Sequence, residues 1–195
     1  MIGVHRAANW LLTRVLGPQV GVYNGVAARD RDVLARDHEP DYKQALVTAV
    51  REAVAPGDRV VVVGGGRAVV AVHAAWAGGV VTVYEAGDEA MRVTESVLQM
   101  NETVFTPRAA VVGEPGVVDG DTAPRRIDPA DLEGDVLVLD CEGAERDILP
   151  VEGFDTVIVE THPAHGSPLA AVRNRLPDSA AVVGEDPIDG EVVVA

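Results

Sequence analysis

Two groups of residues in this chain have types and spacings suited to chemistry. The first is Asp140, Glu142 and Glu145 in the segment DCEGAE, joined further on by Glu160, His162 and His165 in VETHPAH. Carboxylates and imidazoles can accept a proton from a reacting group, and Asp140, Glu142, His162 and His165 are the candidates for that work. The second is Gly64, Gly65 and Gly66, followed about 20 residues later by Glu85. Glycines bring a ligand close to backbone amides, and a carboxylate at that distance is placed to accept hydrogen bonds from ribose hydroxyls.

Each feature also has a plainer reading. Glu142 and Glu145 can complement the first turn of a helix. His162 and His165, with Glu160 or Asp140, have the types of a metal site. A metal needs three or four converging ligands, however, and loop histidines are more often solvated, so no metal is expected. Cys141 reads as a buried structural thiol and His73, inside an apolar helix, as a core histidine.

These side chains need a scaffold that brings strand ends together. Arg59–Val63 (RVVVV) is an apolar run without alternation, as in a strand buried on both faces. A helix over 67–77, a Gly78-Gly79 turn and a strand ending on Glu85 complete a β-loop-α-β unit. Helices are expected at 42–55, 87–100 and 168–176, a third strand at 108–113, strands at 135–140 and Thr156–Glu160, and a short helix within 141–149. The chain closes with a hairpin of 180–183 and 191–194. This alternation predicts an α/β fold with a doubly wound, Rossmann-like sheet, whose ligands lie outside the carboxyl ends of the strands.

The loop does not suit a dinucleotide, because the third position of G-x-G-x-x-G, counted from Gly64, is Val69 where a small residue is required. A P-loop needs Gly-Lys-Ser/Thr, and the only lysine is Lys43. S-adenosylmethionine, with a ribose and no pyrophosphate, fits what remains. Together the segments VVVVGGG, VYEA, Asn101, LDCEGAERDIL and VIVETHP resemble an FkbM-type class I S-adenosylmethionine-dependent methyltransferase over about residues 40–195. The resemblance implies a mostly parallel seven-stranded sheet with a C-terminal antiparallel hairpin. Val63, Gly64, Gly65, Gly66 and Glu85 would hold the methionine and ribose, and Ala86, Ala110 and Val111 would border the adenine. Asp140 and Glu142 would face the methyl group and acceptor, with His162 nearby. It implies O-methylation of a small-molecule or glycan hydroxyl. Val62 stands where the family has an acid, and Ala68 where it has its later glycine. The alternative is therefore a catalytically degenerate module that keeps the fold for binding or assembly.

Composition sets further bounds. The net charge is −15 over 195 residues, with 31 acidic residues and a single lysine. Such a surface suits either a cell with high internal salt or a GC-rich genome, and it argues against a nucleic-acid partner. Residues 5–16 read as an amphipathic helix, 20–28 as a hairpin around Asn24-Gly25, and 30–41 as a charged connection able to form a lid. That gives an N-terminal part, 1–41, and a cofactor-binding domain, 42–195. One cysteine and an apolar run too short to span a bilayer point to the cytoplasm; a homodimer is compatible with such a domain.

Overall fold

The structure is a computed structural model and describes residues 19–30, 38–118, 120–186 and 190–195. The N-terminal helix expected at 5–16 and most of the charged connection lie outside these. Strands β1 (Gln19–Tyr23) and β2 (Val26–Asp30) pair around Asn24 and Gly25, whose φ values are +47° and +79°. Two left-handed residues are what a two-residue hairpin loop demands, and Asn-Gly supplies them with little strain. β3 (His38–Glu39) adds in parallel to β1.

The main layer follows: α1 (Gln44–Ala53), β4 (Arg59–Val63), α2 (Val69–Trp76), β5 (Val80–Glu85), α3 (Asp88–Met100) and β6 (Thr106–Ala109). After the short parallel pair β7 (Val111–Val112) and β8 (Arg126–Ile127) come β9 (Val136–Leu139), α4 (Glu145–Ile148), β10 (Thr156–Glu160), α5 (Leu169–Arg173), β11 (Ala181–Glu185) and β12 (Glu191–Val194). Seven strands form one sheet in the order β11-β12-β10-β9-β4-β5-β6. It is parallel throughout except for β12, which runs antiparallel between β10 and β11. The α/β architecture and the terminal hairpin thus match the sequence reading. The third strand differs: it starts at Thr106 and ends at Ala109, because Val111 and Val112 leave it to pair with Arg126 and Ile127.

The valine run of β4 shows why it does not alternate. Val60 and Val62 pack into one core with α1, α2, Val97 of α3 and the hairpin residues Tyr23, Val26 and Ala28. Val61 and Val63 pack into another with Ile148, Leu149 and Val172. Side chains of successive strand residues point to opposite faces, so a sheet covered on both sides needs apolar residues at every position. Three layers result, and the hairpin contributes to the first core.

Asn101, the C-cap of α3, ties the hairpin down. Its Oδ1 accepts from Ala27 N at 2.8 Å, while its Nδ2 donates to Ala27 O at 2.7 Å and to Val97 O at 2.9 Å. One side chain therefore does for Ala27, on the outer strand of the hairpin sheet, what another strand would do. Asn101→Ala should lower the unfolding free energy by about 1–3 kcal/mol, since it orphans both backbone groups of Ala27. Urea denaturation checks this; an unchanged midpoint would mean those groups are satisfied by water.

Candidate active site

At the centre of the sheet the order reverses between β4 and β9, so the loops after these two strands diverge and leave a crevice. A cavity of about 330 Å³ lies there, within the usual range for small-ligand sites. Val63, Gly64, Gly65, Gly66, Glu85, Ala86, Ala110, Val111, Asp140 and Glu142 all line it. The residues expected to hold a cofactor thus line one cavity, together with Glu142, expected to face the acceptor. His162 is not among the lining residues; it is only 2% exposed.

Gly64 shows why the first loop position must lack a side chain. Its φ is +98°, and a Cβ there would stand 1.7 Å from the carbonyl oxygen of Asp140. Backbones from the ends of β4 and β9 pass too closely for anything larger, and Asp140 N donates to Val63 O at 2.9 Å across the same gap. Ala68, by contrast, is an alanine held at φ +52° as the N-cap of α2. A non-glycine residue in this region carries strain of order 1–2 kcal/mol, and it sits where the family resemblance expects glycine.

Glu85 closes β5 and turns back into the loop. Its Oε2 accepts from Gly65 N at 2.8 Å and Gly66 N at 3.1 Å, and its Oε1 from Gly87 N at 2.7 Å. The carboxylate therefore sets the shape of the glycine loop as well as facing the cavity, a task the spacing alone did not disclose. Thr94 supports the same loop by donating to Gly66 O at 3.1 Å.

On the other side of the crevice lies a charged cluster. Lys43, the N-cap of α1 with φ +49°, donates from Nζ to Asp140 Oδ1 at 3.0 Å and to Glu160 Oε2. Glu142, also left-handed at φ +51°, pairs with His165 Nδ1 at 2.8 Å. His162 Nδ1 meets Glu145 Oε1 at 2.7 Å, and its Nε2 lies 3.6 Å from Asp140, 3.9 Å from Glu142 and 3.9 Å from Glu160. Strained backbone concentrated at two charged residues of one cavity is characteristic of functional sites.

The burial of these groups shifts their proton affinities. Burial opposes the charge on His162, but the Glu145 hydrogen bond and the surrounding carboxylates raise its pKa to about 9. For Glu145 burial again works against ionisation, yet the bond to His162 and the imidazolium charge hold it down at about 2. Burial and the nearby Asp140 charge push Glu160 upward, against the pull of Lys43. Glu145 also accepts from Cys141 N and Gly143 N, so it does cap the turn before α4. Burial raises the Cys141 thiol well above its ordinary value, as suits an unreactive cysteine. His73 is buried with Nε2 3.0 Å from Asn24 O, and burial lowers its pKa.

Sequence reasoning missed Lys43, which arrives from 97 positions away from Asp140. A signal existed: one lysine in 195 residues invites the question of why that one was kept. The Glu145–His162 pair was missed as well, because nothing in the two segments states that they face each other.

By sequence, the chain matches no family model and no curated protein. By structure, it is similar to the 16S rRNA N2 G1207 methyltransferase of T. thermophilus, solved with AdoMet and guanosine (TM-score 0.60, 13% identity, 91% of this chain and 49% of that one). It is also similar to the tRNA (uracil-54, C5)-methyltransferase of Pyrococcus abyssi, solved with S-adenosyl-L-homocysteine (0.56, 12%, 91% and 43%). A third is Trm5b of Pyrococcus abyssi (0.55, 10%, 91% and 54%). The chain spans about half the length of these proteins. It has the Rossmann-like fold of the class I S-adenosylmethionine-dependent methyltransferases.

This likeness corrects one expectation. The acidic composition argues against a nucleic-acid partner, but proteins of this fold act on tRNA and rRNA. Net charge summed over a whole chain does not describe the one face that a substrate meets, so the exclusion falls. Among the described residues no helix is long and apolar enough to cross a membrane.

Glu85→Gln should loosen the glycine loop, because an amide offers one acceptor oxygen where three backbone amides need two. The expected cost is about 1–3 kcal/mol, with faster hydrogen exchange at Gly65, Gly66 and Gly87. Unchanged exchange at these amides would contradict the loop-holding role.

Proposed function

We propose that the chain is an S-adenosylmethionine-dependent methyltransferase whose cofactor lies in the cavity between β4 and β9. One observation carries this reading: the glycine loop, Glu85, the apolar Ala86, Ala110 and Val111, and Asp140 converge on a single cavity at the switch point of this fold. Ala110 and Val111 suit the flat apolar faces of adenine, and Glu85 the ribose hydroxyls. At the methionine end Val62 offers no acid. Two cationic residues, Lys43 and Arg67, line the cavity and suit a cofactor carboxylate. The Arg67 guanidinium is held 4.6 Å from the Tyr23 ring centroid and 5.5 Å from that of Tyr42, which limits where it can reach.

Bound there, the cofactor supplies a methyl group already activated on a sulfonium. The chain's own part is to align an acceptor, keep water out and receive a proton. Of the carboxylates that line the cavity, Asp140 and Glu142 are the candidates for that last step. His162 is a positioning residue in this account: buried behind the wall, it draws Asp140 and Glu142 toward its Nε2 edge. The DCEGAE segment supports the FkbM-type subtype. For the acceptor, the tRNA- and rRNA-acting proteins of the same fold support RNA as the first class to test.

Calorimetric titration with S-adenosylmethionine should give saturable binding. Ala86→Trp, which fills the cavity wall, should weaken that binding at least about tenfold, or ~1.4 kcal/mol, without lowering the melting temperature of the unliganded chain. No heat at millimolar cofactor from folded protein would leave the fold without the activity, as in a degenerate binding module.

A further inference from the structure

Behind the cavity wall, Asp140, Glu160 and His162 each bring one ligand atom to a common point, with these atoms all within 4.8 Å of one another. Their side chains are 12%, 0% and 2% exposed. Two buried atoms, Glu160 Oε1 and His162 Nε2, have no hydrogen-bond partner among the described residues. An unmet buried acceptor or donor costs about 1–3 kcal/mol, so two of them beside a second carboxylate, Asp140, imply a missing partner. The imidazole is oriented in the manner of a metal ligand. Its Nδ1 is tied to Glu145 at 2.7 Å, which turns Nε2 toward Asp140 and Glu160. Glu142 lies 3.9 Å from the same Nε2 but is paired with His165 and is not one of the converging donors.

One cation already touches this place. The Lys43 ammonium bonds Asp140 and Glu160 and also lines the cavity, so it stands between the open crevice and the buried donors. We propose that Asp140, Glu160 and His162 form a binding site for a divalent transition-metal ion such as Mn²⁺ or Zn²⁺, reached from the cavity by displacement of the Lys43 ammonium. The ion takes the Nε2 lone pair of His162, and any proton held there leaves to solvent. Two carboxylates and one imidazole are a hard-to-borderline donor set that suits these ions. The site opens toward the wall formed by Asp140 and Glu142, where a bound ion would also orient an acceptor oxygen or nitrogen. That orienting role rests on the methyl-transfer reading; the binding itself does not.

The test is calorimetric titration of the metal-free full chain with Mn²⁺ and, separately, Zn²⁺, without any cofactor, so that it is independent of S-adenosylmethionine binding. The wild type should bind one ion. Lys43→Met, which keeps the apolar stem and removes the competing charge, should bind at least about tenfold more tightly. Glu160→Gln and His162→Gln should each bind at least about tenfold more weakly. His162→Gln also takes away the partner of buried Glu145 and can unfold the chain, so thermal melts accompany each variant and the gain in Lys43→Met decides if that one is unfolded. No heat from the wild type with either ion at millimolar concentration would overturn the proposal. So would binding that Glu160→Gln leaves unchanged, or binding seen only in Lys43→Met, which would give the seat to the lysine.

Discussion

Asp140, Glu142, Glu145 and Glu160 converge at one end of the sheet, and the buried Lys43 ammonium and His162 imidazole face them. Charges taken out of water are tolerated only when paired and hydrogen-bonded, and much of the local architecture answers to that demand. It accounts for Lys43 being held in a left-handed conformation at the start of α1, which turns the ammonium inward. Glu142, also left-handed, carries its carboxylate to His165 in a half-exposed pair that does not need this compensation. His162 lies nearly fully buried so that one imidazole can face Glu145 with Nδ1 and the others with Nε2. Fixing Asp140 in this way also fixes one wall of the cavity, and Gly64 then has no room for a side chain.

The opposite wall depends on a second carboxylate. Glu85 gathers the amides of Gly65, Gly66 and Gly87, so the loop is shaped by a side chain one strand away as well as by its own glycines. The hairpin closes the arrangement from the side. Tyr23 sits in the same core as α2, and its ring with that of Tyr42 supports Arg67 at the cavity. The N-terminal strands therefore belong to the packing that positions the site.

Much of this was legible in the sequence where a short segment carries its own instruction. The valine runs of β4 and the DVLVLD and TVIVE segments announce buried parallel strands, since burial on both faces removes the alternation. The glycine loop, Glu85, Ala86, Ala110, Val111 and Asp140 reach the cavity because strand ends at a switch point have little choice of where to go. What remained hidden depends on contacts between distant segments. Lys43 meets carboxylates more than ninety positions away; Asn101 serves a hairpin strand far upstream; and Glu160, read only as a remote metal candidate, lies at the centre of the charged cluster. The departure of the chain from the sheet at Ala110 was hidden for the same reason: its partner, Arg126–Ile127, is a two-residue strand reached only after an intervening loop.

The cavity between β4 and β9 is the proposed cofactor seat, and a crystal structure of the chain grown with S-adenosylhomocysteine tests that most directly. Density for the ligand should lie along the glycine loop, with the ribose at Glu85, the adenine against Ala110 and Val111, and the sulfur toward Asp140. Ligand bound elsewhere on the molecule, or a cavity filled by rearranged side chains of the chain itself, would contradict it.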